Sequence, residues 1–369
     1  MKKLTSLLVL LVHLFAFAHS GTAAESLSSK FDPYNALIWN SENRKAQNGK
    51  TDREDWYEWW YYKVVVPNSE DAFYFVYGVV NPWDANKSIE ASRAYVGFGS
   101  FADHFMLNEN HPPSEFQAST TSAQVKIGPH HHATDRRITG QIGNEARWDI
   151  QIEHDWTFNA MGWAMSREWI SNIYWYPAQA SARMTGWVES RGRRVEFKDA
   201  PAYQDRNWGR SFPEWWAWLV SNRFKNSPDT VLAAGGGKPR LLDKYEPIES
   251  LAIGLRHKGK VYAFRPSEGD IVRVDIKFGK WEVRGFNRKG EQIRISAWAP
   301  QEKFMDLQFV TPQGKVFHDF ETLRGNIKVQ LFKWRKLIAD LETDEGGIEY
   351  GSHEVSAFDQ TFSSEMQLQ

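Results

Sequence analysis

The sequence predicts an all-β protein built from two similar units, each a barrel or sandwich, and three observations carry that expectation. Apolar and polar residues alternate in short runs bounded by Gly, Pro or Asn, the period-2 pattern of half-buried antiparallel strands. Aromatic residues make up 15% of the chain, with 18 Trp, and such rings suit pleated surfaces and apolar pockets more than helical bundles. The tripeptide Glu58-Trp59-Trp60 recurs as Glu214-Trp215-Trp216, and each copy is followed at nearly equal distance by a Gly-x-x-x-Pro turn, "GVVNP" from Gly78 and "GGGKP" from Gly235. The same tripeptide with the same sequel marks the first hairpin of a duplicated unit.

Taken in order, the chain opens with two lysines, an apolar run from Leu7 to Ala18 and small-residue cleavage options before residue 25. This reads as a signal peptide over 1–24 and predicts an exported protein, periplasmic or secreted, with no transmembrane span after cleavage. "AFYFVY" and "TVLAA" are strand-like runs leading to the two Gly-x-x-x-Pro turns. "RWDIQIEHDWTF" (147–158) alternates as a strand, and "SREWISNIY" (166–174) is a candidate helix. Hairpins follow at "TGWVES-RG-RRVEF" (185–197), "AIGLRH-KG-KVYAF" (252–264), "WEVRGFN-RKG-EQIRISAW" (281–298) and "LQFVT-PQG-KVFHDF" (307–320), each with Gly in the connecting loop. The two units are placed at 30–190 and 191–360, divided near "FKDAPAY".

Composition excludes several functions. Net charge is −1 and recruits neither nucleic acid nor an anionic surface. The absence of Cys removes disulfides, thiolate nucleophiles and Cys-bound zinc. No Gly-x-Ser-x-Gly elbow and no His-Glu-x-x-His occur, which leaves serine hydrolase and zinc protease readings without support. "AAGGGKPRLL" lacks Walker spacing and reads as a tight turn. The run His130-His131-His132, with His104 and His111 nearby, offers metal-ligand types. Adjacent strand residues point to opposite faces, however, and the run follows Gly-Pro, so a solvated loop is expected there.

The densest chemistry lies in "FKDAPAYQDRNWGRSFPEWWAWLVSNRF" (197–224). On a strand, Trp216, Trp218, Val220 and Asn222 share one face, and Trp215, Ala217 and Leu219 the other. A carboxylic acid beside such an aromatic wall is poorly solvated, so its pKa rises and it remains a proton donor near neutrality. Ring faces also stabilise a developing carbocation. Together these suit protonation of an isoprenoid alkene. The plainer reading has the indoles filling two barrel cores, with Asp205 paired to Arg206 or capping a turn.

This segment resembles the tocopherol cyclase family, whose pattern runs roughly Tyr-x-Glu-Lys-Asn-Trp-Gly, two residues, Phe-Pro, two residues, then Trp-Phe-Trp and a nearby Asn. "YEWWYYKVVV" resembles that family's Phe-Glu-Gly-Trp-Tyr opening, and "LAAGGG" and "ETDEGGIEYG" continue the likeness. The family is similar to the tandem lipocalin-like proteins that include carotenoid 1,2-hydratases, so the resemblance implies two lipocalin-like β-barrel domains in tandem. It implies closure of a prenylated quinol to a chroman by alkene protonation, an isomerisation that needs no redox cofactor. Carried over by position, it points to Asp205 or Glu58 as proton donor with Tyr203 beside it. Asn207 and Asn222 become orienting groups, and Trp208, Trp216, Trp218, Trp60 and Tyr61 a wall for a hydrophobic small molecule. Asp205-Arg206 stand where the family has Glu-Lys, and Ala217 and Val220 replace a Phe and a Gln. Glu214 falls on no motif position and reads as a solvated acid. Two other functions fit the same residues: a hydratase in which water captures the cation, and a carrier that holds a hydrophobic ligand unchanged.

Overall fold

The structure, a computed structural model, describes residues 55–82, 88–89, 91–119, 122–163, 171–240 and 249–362. The leader read at 1–24 lies outside them, as does most of the 166–174 run. The end of that run, Ile173 and Tyr174, opens a long strand instead of closing a helix.

Eleven strands form the first sheet: β1 (Tyr57–Val65), β2 (Ala72–Val80), β3 (Arg93–Ser100), β4 (Phe105–His111), β5 (Phe116–Ala118), β6 (Gln124–Ile127), β7 (His131–Thr134), β8 (Arg137–Ile142), β9 (Ala146–Trp156), β10 (Ile173–Ser190) and β11 (Arg193–Gly209). Eleven more form the second: β12 (Trp215–Ser221), β13 (Val231–Gly237), β14 (Ser250–His257), β15 (Lys260–Phe264), β16 (Ile271–Lys277), β17 (Lys280–Phe286), β18 (Glu291–Trp298), β19 (Met305–Asp306), β20 (Phe309–Val310), β21 (Val316–Lys333) and β22 (Lys336–Ser352). The spatial orders correspond. In the first sheet β4-β3-β2-β1 continues into β11-β10-β9, and in the second β15-β14-β13-β12 continues into β22-β21-β18. Each Glu-Trp-Trp therefore introduces the strand that joins the first hairpin of its sheet to the last, which is the duplication the repeat implied.

The four expected hairpins form. Arg191 and Gly192 have φ of 51° and 77°, and Lys258 and Gly259 have 50° and 73°, the left-handed pairs that two-residue hairpin turns demand. The division expected at 190/191 falls inside the first of these turns. Strand β11 pairs with β10 on one side and β1 on the other, so the first sheet runs on to Gly209 and the second opens at Trp215. "FKDAPAY" misled because its Asp and Pro mark irregular pairing inside a sheet: Asp199 sits at φ 53° near a register shift between Met184 and Gly186, a bulge and not a linker.

Each sheet curls around its own core. Trp60, Tyr62, Phe75, Phe98, Trp148 and Ile150 pack inside the first; Trp215, Leu219, Phe264, Trp281, Val283 and Val329 pack inside the second. A third cluster, including Trp59, Tyr61, Tyr203, Trp216, Trp218 and Phe317, lies between the sheets. Strands β1 and β12 consequently bury both faces, one in their own barrel and one against the partner barrel. No helix among the described residues is long and apolar enough to cross a membrane.

Candidate functional site

Strand alternation sorts the expected site residues into two places. On β11, Arg206 and Trp208 point into the first barrel, with Glu58 and Trp60 of the neighbouring β1. Arg206 donates from Nε (2.9 Å) and Nη2 (2.5 Å) to Glu58 Oε1, and both side chains are buried. The guanidinium lies 5.6 Å from the Trp60 ring and 5.5 Å from that of Trp208, whose indole stacks on Tyr174. Glu58 is thus held in a buried ion pair with Arg206, flanked by the Trp60 and Trp208 rings. Asp205 does not pair with Arg206, because adjacent residues on a strand leave by opposite faces.

The other face of β11 carries Tyr203, Asp205 and Asn207 towards the second sheet. Asp205 Oδ2 accepts from the Tyr203 hydroxyl (2.9 Å) and the Trp175 indole (2.8 Å). Trp218 in turn donates to the Tyr203 oxygen at 3.2 Å. The second carboxyl oxygen, Oδ1, is buried and has no hydrogen-bond partner among the described residues. Burial pushes the Asp205 carboxyl up to about 7, against the lowering effect of the bonds from Trp175 and Tyr203.

The second sheet contributes Asp319 and Glu321 from β21 and Glu349 from β22. Glu321 and Glu349 sit directly opposite in the β21–β22 ladder, and ligand-type oxygens of all three lie within 4.8 Å of one another. Burial pushes Asp319 up to about 7 and Glu321 and Glu349 well above the usual carboxylate range; the negative charge of Asp319 raises the latter two further. Acids this close share protons because like charges cannot all ionise in a desolvated site. Glu349 hydrogen-bonds Asp319, the Tyr61 hydroxyl donates to Glu321 Oε1, and Trp216 Nε1 donates to Asp319 Oδ1 at 3.0 Å. Lys63, buried on the same face of β1, is lowered to about 8, by burial foremost. Its ammonium lies 5.9 Å from the Trp218 ring.

Two glycines make room for the indoles. A Cβ on Gly351 would come within 2.4 Å of Trp216 Nε1, and one on Gly347 within 2.4 Å of the Trp218 ring. The "GGIEYG" stretch is therefore a place where two tryptophans cross a neighbouring strand.

The structure thus gathers Asp205, Tyr203, Tyr61, Trp216 and Trp218 at one locus between the barrels. Asn207 stands at its edge, accepting from Tyr57 at 2.8 Å, and Asn222 donates to the Ala180 carbonyl at 2.8 Å. Sequence reading missed Trp175, Lys63, Asp319, Glu321 and Glu349. The available signal was the alternation Phe317, Asp319, Glu321, Leu323 in β21, which places acids on the same face as large apolar residues. A surface depression of about 450 Å³ lined by Asp55, Ser88, Ala91, Pro312, Gln313 and Gly314 includes none of these acids.

Among the described residues, two sets could hold a metal ion: the carboxylates Asp319, Glu321 and Glu349, and Glu109 with His111 and His131. The second set corrects the solvated-loop expectation for the histidine run. His131–Thr134 is strand β7, in which His131 is buried and His132 exposed, and His130 is exposed in the turn before it.

Comparison with known proteins gives a consistent picture. The profile described as "Tocopherol cyclase-like" matches residues 87–352. A probable chloroplastic tocopherol cyclase of Oryza sativa subsp. japonica is 26% identical over 356 residues, covering 80% of this chain and 75% of its own. The chloroplastic tocopherol cyclase of Zea mays is 25% identical, with 80% and 74% covered. Among solved structures, that of CghA superposes with a TM-score of 0.52 at 12% identity, covering 90% of this chain and 97% of its own; at that identity the likeness shows the fold alone.

Proposed function

The chain belongs to the tocopherol cyclase-like family, and from that membership together with the acids between its barrels we propose that it closes a prenylated quinol, or a related isoprenoid, by acid-catalysed protonation of the alkene. The observation that carries this reading is Asp205: a buried carboxyl held near neutrality, with one oxygen fixed by Tyr203 and Trp175 and the other bare. When protonated, its Oδ1–H has no competing acceptor and is the natural donor.

Proton transfer from Oδ1 to the less substituted alkene carbon leaves a tertiary cation on the other. The phenol oxygen forms the new C–O bond, and the phenolic proton released restores the acid, so no atoms are gained or lost. Trp216 and Trp218 offer ring faces to the cation. A buried, water-poor site favours capture by the phenol over capture by water. The N-terminal apolar run supports an exported enzyme.

Asp205→Asn is the direct test, assayed with a prenylated hydroquinone. The expected result is an isomeric product from the native protein and a loss of kcat of about 10²–10⁴-fold in the variant. Full turnover in the variant would remove Asp205 from its role. A product heavier by one water would make the protein a hydratase, and unaltered ligand recovered from an inactive native protein would make it a carrier. Because the acid must hold its proton, kcat/KM of the native enzyme falls as pH rises through about 7.

A further inference from the structure

Away from the acids between the barrels, the first barrel carries a second set of side chains arranged for chemistry. Its sheet ends at β4 on one edge and at β5 on the other, and no backbone ladder joins the two among the described residues. Across this gap β4 lies against β8 and β3 against β6. Glu109 and His111 of β4 face His131 of β7 across this seam.

We infer that Glu109, His111 and His131 bind a divalent transition-metal ion that clips the seam of the first barrel. His111 Nε2 lies 3.4 Å from Glu109 Oε1, and His131 Nε2 lies 3.3 Å from Glu109 Oε2. The two nitrogens approach different oxygens of the one carboxylate, and one ligand atom from each of the three residues lies within 4.8 Å of the others, so these spacings suit three residues held around one ion with bonds of about 2.0–2.1 Å. They do not suit hydrogen bonds: neither Nε2 nor Glu109 Oε2 has a hydrogen-bond partner among the described residues.

The surroundings support the same assignment. His111 Nδ1 is bonded to Glu115 Oε2 at 2.8 Å. With Nδ1–H donating to that carboxylate, the Nε2 lone pair points at Glu109 and His131, the carboxylate–histidine arrangement that positions metal ligands. His131 is wholly buried, yet both its ring nitrogens lack hydrogen-bond partners, a costly state for an imidazole unless an ion takes one of them. Trp148 lies over that ring at 6.2 Å and fixes its plane. Gly128, at φ +55°, leaves the space the site needs, since a Cβ there would come within 2.7 Å of His111 Cε1. Two imidazoles and a carboxylate select zinc-like ions over magnesium or calcium. Glu109 is partly exposed, so the fourth position is open to water.

The test uses untagged full-length protein stripped with a chelator and titrated with Zn²⁺ by calorimetry and with Co²⁺ by visible absorption. One ion per chain and the intense visible bands of tetrahedral cobalt are expected, with a thermal midpoint raised by Zn²⁺. His111→Gln and His131→Gln should each abolish binding, and the exposed pair His130→Ala with His132→Ala should leave it unchanged. Glu115→Gln, at an exposed residue, should weaken affinity by about 10- to 100-fold through the orientation of His111. No binding, binding that survives loss of both His111 and His131, or binding lost with His130 and His132 would each overturn the inference. None of these outcomes bears on Asp205.

Discussion

The two Glu-Trp-Trp copies occupy the same place in their sheets but opposite phases. In β1 the first indole, Trp59, faces the partner barrel and Trp60 fills its own. In β12, Trp215 points inward and Trp216 faces across. Trp59 and Trp216 therefore meet between the barrels, ring centroids 6.0 Å apart. The preceding acids differ as sharply: Glu58 is buried against Arg206, whereas Glu214 is largely exposed against Lys238. Repetition of a tripeptide fixes its position in the topology, and a one-residue slip in phase decides what each side chain does. The faces brought together also divide the labour. The first sheet supplies one acid with tyrosine hydroxyls and a lysine; the second supplies three acids and two indoles.

The largest expected contrast is between the two glutamates. Glu58→Gln strands a buried guanidinium and should cost about 3–5 kcal/mol of stability in denaturant unfolding, while Glu214→Gln, breaking an exposed pair, should cost about 0–1 kcal/mol. Equal costs would mean that the copies are equivalent after all.

The pH dependence of stability sharpens the comparison of faces. Asp205, Asp319, Glu321 and Glu349 all have folded-state pKa values raised above the unfolded ones. The folded protein then binds more protons than the unfolded chain, and this contribution to stability is full below about pH 4 and declines as pH rises through about 7. Asp205→Asn should flatten part of that decline, leaving the variant more stable than the native protein at pH 8 and little changed at pH 4. A stability difference between Asp205→Asn and the native protein that is the same at pH 4 and pH 8, measured by urea unfolding, would contradict the raised pKa of this acid.

The smallest effect concerns the meeting of the indoles. A double-mutant cycle with Trp59→Ala and Trp216→Ala should give a coupling of about 0.5–1.5 kcal/mol, and Trp60 with Trp215, in separate cores, should give none.

Much of this was legible in the residues. Alternation and turn chemistry identify the strands and hairpins, because side-chain direction and φ > 0 turns are local properties. The repeat announces the duplication, and alternation along "EWWAWLVSN" assigns Trp216, Trp218 and Asn222 to a common face. The same rule applied to "YQDRNW" separates Asp205 from Arg206 and Trp208, and only its application there was missing.

What the sequence determined by itself is two like β units, the first hairpin of each, and one acid among aromatic residues. Only the tertiary structure decided that this acid lies with Asp319, Glu321 and Glu349, more than a hundred residues downstream. It likewise decided that Arg206 serves Glu58, and that one histidine of three turns inward beside His111. The physical reason is that alternation names a face without naming what covers it. An acidic face on β21 would be solvated on a lone barrel, and it becomes a desolvated, proton-holding site only where a second barrel closes over it.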